Sequence, residues 1–194
     1  MRSVALLSLL FASGVAIAGV VIAAPAVPAA PAAPAVTAAK PAPAAAAQPA
    51  AGAYDRLKAL AGTWVGVEAP KGDAPPLMVT YRLTGAGTTV VETLFPGGPH
   101  EMTTMYTRDG GDLVLTHYCA AGNQPRMRAK TIEGNVLRFA FDGGTSLDPA
   151  KDSHMHSAWI EFVSADEIIG EWQGWEGGKP EAQAMRFHLK RKAA

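Results

Sequence analysis

From Leu77 to the C-terminus, apolar and polar residues alternate with a period of two in short runs. Met185, Phe187 and Leu189 alternate with Arg186, His188 and Lys190, and Leu137, Phe139 and Phe141 with Val136, Arg138 and Ala140. Leu77, Val79, Tyr81 and Leu83 alternate in the same way with Met78, Thr80 and Arg82. Successive side chains of a strand point to opposite faces, so each run predicts a strand covered on one face only. Turn signals separate the runs, among them Gly85-Ala86-Gly87, Pro96-Gly97-Gly98-Pro99, Asp109-Gly110-Gly111, Gly134-Asn135 and Gly177-Gly178. Counting from Ala61–Gly66, about ten short antiparallel strands follow at 8–12-residue spacing. One short helical turn, Tyr54–Leu60, precedes them with Leu57 and Leu60 on one face. No predicted helix is long enough to cover a sheet. The expected class is therefore all-β, an up-and-down barrel closed on itself, which also removes exposed edges.

The chain ahead of the strands has a different composition. Arg2 is followed by an apolar run, Val4–Ala24, that ends in small residues. A basic start, an apolar middle and an Ala-rich end predict a secretory signal peptide over 1–24. The alternative is an uncleaved anchor, since about 20 apolar residues span a bilayer. Residues 25–53 are almost entirely Ala and Pro, with Lys40 the one charge. Such a stretch has too few large apolar side chains to build a core and reads as a semi-rigid spacer. Residues 54–192 then form one domain. The expected location is periplasmic or extracellular, with membrane contact only through the N-terminal segment if it stays attached. Formal net charge is +0, which argues against nucleic acid as a partner.

A short helix, then Gly62-Thr63-Trp64 on the first strand, then a meander of strands resembles the calycin superfamily of lipocalins, fatty-acid-binding proteins and nitrobindins. The resemblance implies a calycin-like barrel with a ligand inside. It also implies that Trp64 packs at a closed end under an arginine of the last strand, for which Arg186 and Arg191 are the candidates. Arg191 continues the face of Met185, Phe187 and Leu189. Nitrobindins bind haem through a histidine, so haem is a candidate cofactor, although no position of this chain matches that ligand. Glu92–Met127 and His154–Trp159 also resemble a group of uncharacterised exported bacterial proteins, which supplies no activity.

Side chains capable of chemistry concentrate between Glu92 and Met127. Glu92 shares a face with Val90 and Leu94, and an inward Glu92 needs a partner, for which Arg126 and Arg128 are available. His100 opens a strand beside Glu101. His117 shares a face with Leu113, Leu115 and Cys119. Asn123, Gln124 and Arg126 follow a tight connection, and Arg126 suits an anionic head group. Tyr81 and Met102 complete the candidate ligand wall. The leading reading is a barrel that holds a largely apolar small molecule with a polar head.

A second reading is a metal- or haem-binding barrel, with enzymatic activity left open, that uses His117 with His154 and His156, which lie two apart on an extended segment, as three nitrogen ligands for zinc or another transition metal. A third is a structural body without ligand. Cys119, the one cysteine, cannot form an internal disulfide and reads as an inert thiol rather than a nucleophile. No complete catalytic motif is present.

Overall fold

The computed structural model describes residues 47–70, 72 and 75–193. The expected signal peptide and most of the spacer lie outside the described residues. Ten strands build the body: β1 Gly62–Gly66, β2 Met78–Thr84, β3 Thr89–Leu94, β4 Met102–Asp109 and β5 Asp112–Tyr118. They continue as β6 Gln124–Ala129, β7 Val136–Thr145, β8 His154–Ser164, β9 Glu167–Glu176 and β10 Met185–Arg191. Each pairs antiparallel with the next, and β10 returns to β1, with Leu189 opposite Gly66 and Arg191 opposite Trp64. The expected closed ten-strand barrel is therefore observed, with one short α-helix among the described residues, α1 (Tyr54–Lys58), on the N-terminal side of the strands.

One end of the barrel is closed. Leu57 and Leu60 are buried beneath the strands, and the Trp64 indole donates to the Leu60 carbonyl at 2.8 Å. Arg191 settles the choice between the two arginines. Its guanidinium lies 4.5 Å from the centre of the Trp64 ring and donates to the carbonyls of Ala59, Ala61 and Ala165. Those carbonyls sit just beyond α1 and in the β8–β9 turn, so one planar fork ties the helix to that turn. Gly62 has φ of +133, and a Cβ there would meet the Arg191 guanidinium at 3.1 Å. The glycine of the G-x-W motif is thus required twice over. Arg186 instead lies over the Trp159 ring.

The spacer is shorter than composition suggests. Gln48–Pro49 pairs with Thr131–Ile132, and Ala50 and Ala53 are fully buried against the closed end. An alanine methyl fits where a larger side chain would not, so a sequence too plain to build a core can still seal one.

Large inward side chains fill the bore. Tyr106, Phe139, Met127, Leu115 and Trp172 come from five strands and are all buried. The voids left among them measure about 20 Å³ beside Glu92 and about 10 Å³ beside His117. Among the described residues neither of these voids holds a drug-sized molecule or a haem, so the expected interior ligand chamber is not formed there.

Candidate functional site

Strand register creates one polar line inside this apolar bore. Tyr81 of β2 lies opposite Glu92 of β3, Glu92 opposite Thr104 of β4, and Thr104 opposite His117 of β5. All four are inward and 4% exposed or less. Tyr81 and Tyr106 each donate a hydroxyl to one oxygen of the Glu92 carboxylate at 2.7 Å. Burial pushes the Glu92 carboxyl above its usual range, opposed by the hydroxyls of Tyr106, Tyr81 and Thr104, in that order. Both phenols are pushed well up, first by burial and then by the Glu92 charge.

His117 ends the line. Its Nδ1 lies 2.9 Å from the Thr104 hydroxyl, and its Nε2 is buried without a partner. Burial lowers the imidazole to about 4. The Thr104 hydroxyl can donate or accept, so this contact holds the ring through Nδ1 in either tautomer and leaves Nε2 as its second nitrogen. The Trp172 ring lies 4.8 Å away, tilted by 40°.

The remaining candidates are dispersed. Met102 borders the void at His117. His100 is exposed in the turn before β4, and Cys119 is half-buried in the turn after β5. Asn123 is buried and donates to the Ser153 carbonyl at 2.8 Å, while Gln124 accepts from Thr145. Arg126 is on the outer face, where Asp142 takes its guanidinium through both carboxylate and carbonyl. It does not reach Glu92 or the bore. Arg128 likewise pairs with Asp109, Asp112 and Asp142. The expected arginine partner for Glu92 is replaced by two phenols, since β6 turns Arg126 and Arg128 outward in alternation with the buried Pro125, Met127 and Ala129.

His154 and His156 are brought together, but not with His117. His154 Nδ1 lies 2.8 Å from the Asp152 carbonyl, so it donates there, and its Nε2 meets His156 Nδ1 at 3.0 Å. A β-bulge between Met155 and Ser157 displaces His156 from the ladder. The ring is stacked between Phe141 at 4.7 Å and Trp175 at 3.8 Å. Burial, then the neighbouring His154, lowers the His156 imidazole. Among the described residues no three His, Cys, Asp or Glu side chains are grouped to hold a metal ion, so the three-histidine zinc set is not assembled.

A cleft of about 390 Å³ lies at the open end, opposite the closed one. Leu77, Met78, Phe95 and Phe187 line it, with Glu68, Arg186 and His188 among its polar groups. The Arg186 guanidinium lies over the Trp159 ring and pairs with no carboxylate among the described residues.

The class defined by this geometry is a closed ten-strand antiparallel barrel with a plugged bore and an internal polar row. A solved protein of unknown function from the DUF3598 family of Nostoc punctiforme is similar to it in structure. The TM-score is 0.45, with 12% identity over 70% of this chain and 48% of that one. The chain thus spans about half the length of that protein. No family model matches the sequence, and no curated protein does.

Proposed function

We propose that the chain is an exported binding protein whose small-molecule site is the open-end cleft rather than the bore. The basic start at Arg2 and the apolar run Val4–Ala24 support export. The observation that carries the binding reading is the cleft itself, an apolar floor of Leu77, Met78, Phe95 and Phe187 with Arg186 and His188 beside it. An apolar wall with a few convergent polar groups is the usual make-up of a ligand site. A ligand with an apolar body and an anionic head satisfies both parts.

Thermal unfolding of the purified protein with decanoate, decanol or decylamine tests this reading. A ligand at a hundred times its Kd stabilises the native state by about 2.7 kcal/mol. Decanoate is expected to raise the Tm most, and Arg186→Gln is expected to bring it down to the level of decanol. A Tm unmoved by all three compounds would leave the barrel as a structural body.

A further inference from the structure

The void beside His117 is chemically unlike the rest of the interior. Met102 of β4, Met155 of β8 and Met185 of β10 all border it, together with His117 and the Trp172 ring. Three methionines from three separate strands line the same void as one buried imidazole, which is 1% exposed and has no partner at Nε2. Leaving such a nitrogen unpaired is unfavourable, because the hydration it loses on burial is not replaced by a hydrogen bond. Water is a poor remedy, because it needs about two to four polar partners and thioethers are weak acceptors.

We propose that this void is a site for a soft monovalent cation, Cu(I), held by Nε2 of His117 and the thioethers of Met102, Met155 and Met185. The donor set selects the ion. Thioethers are neutral and polarizable, favour Cu(I), and compete poorly for zinc or magnesium. The row behind His117 supplies the supporting contacts. Nδ1 is held 2.9 Å from the Thr104 hydroxyl, which leaves the unpartnered Nε2 as the nitrogen free to ligate, and Glu92 lies opposite Thr104 on the next strand. A ligating histidine held through its other nitrogen in this way is oriented and made more basic.

Trp172 lines the same void and packs against the His117 ring. At about 10 Å³ the space is of single-ion size, and methionine side chains adjust readily around an added atom. Met185 is 43% exposed, so one thioether connects the site to the open end. This inference is independent of the cleft.

The test uses the full chain under anaerobic conditions, titrated with Cu(I) against bicinchoninate as competing chelator, with Zn(II) in parallel. One Cu(I) per chain is expected, with no competitive uptake of Zn(II), and X-ray absorption of the copper adduct should show sulfur and nitrogen neighbours. Replacing Met102, Met155 and Met185 together by Leu conserves volume and removes the sulfur. It is expected to weaken Cu(I) binding at least 100-fold, and His117→Gln at least tenfold, whereas Cys119→Ser and His156→Gln leave it unchanged. Failure to draw Cu(I) from the chelator overturns the proposal, as does a triple variant that binds like wild type or a Cys119→Ser variant that does not. If the triple variant does not fold, the wild-type spectrum decides. Several sulfur neighbours with nitrogen support the site, and only nitrogen and oxygen, or a lone thiolate, refute it.

Discussion

Burial of His117 penalises its imidazolium, and the consequence for stability has a definite sign. The group titrates at about 4 in the fold, against 6.5 for an ordinary histidine. A folded value below the unfolded one means that the unfolded chain takes up the proton first. The stabilisation is complete above pH 6.5 and is lost as pH falls from 6.5 towards 4, by about 3 kcal/mol in total. Glu92, raised by burial, acts in the opposite sense: its contribution is present below its unfolded value and is lost as pH rises through the folded one. Urea unfolding of metal-free wild type and His117→Gln at pH 7.5 and pH 4.5 separates the two, because Glu92 is common to both. The wild type is expected to lose about 2–3 kcal/mol more than the variant over this interval. Equal losses would mean that His117 is solvated. Of the residues in this row, Thr104 and Tyr106 carry no sequence signal of their own, since threonine and tyrosine are ordinary strand residues. The pairing of Thr104 with His117 was nonetheless readable. The tight Asp109-Gly110-Gly111-Asp112 turn sets the register of β4 on β5, and counting back from it places the two side by side. The pairing of Glu92 with Thr104 was not, because the connection Phe95–Glu101 between β3 and β4 does not fix a register.

Among the elements, the closed end is secured less by α1, which is a single turn, than by what Arg191 does to it. The guanidinium donates to three backbone carbonyls and to Asp166 while stacking on Trp64. A lysine keeps the charge but has no planar fork, so it reaches only part of this set. Arg191→Lys is expected to cost roughly 1–2 kcal/mol in urea unfolding, while Arg186→Lys on the outer face changes stability by less than about 0.5 kcal/mol. Similar midpoints for the two variants would remove Arg191 from this role. Alternation made this element legible, because Arg191 continues the inward face of β10 while Arg186 falls on the other. The same alternation was silent on Ala50 and Ala53, where burial follows from smallness rather than hydrophobic pattern. It also misled at Arg126, whose position in a run after a glycine turn suggested the mouth of the barrel. The Asp142 side chain and carbonyl on the neighbouring strand decide its place, and that neighbour depends on the irregular register between β6 and β7.

At the scale of the whole molecule, nine of the ten seams join strands adjacent in sequence and one joins the two ends. The hairpins close short loops, so their contacts form at small entropic cost, whereas pairing Trp64 with Arg191 must bring together residues separated by most of the domain. The physical expectation is that the central hairpins are organised in the folding transition state and that the β10–β1 seam closes afterwards. Leu115 of β5 and Leu189 of β10 are both inward and buried, which allows a matched comparison. Each Leu→Ala change is expected to destabilise by about 2–5 kcal/mol. For Leu115→Ala a substantial share of that loss should appear as slower refolding, and for Leu189→Ala nearly all of it as faster unfolding. Stopped-flow chevrons of the two variants measure the partition directly. If Leu189→Ala slowed refolding by its full equilibrium loss, ring closure would be the nucleating step. The filled bore favours the late-closing order. With Tyr106, Phe139 and Trp172 occupying the centre, the last seam closes over a core that the earlier strands have already packed, rather than around an empty chamber.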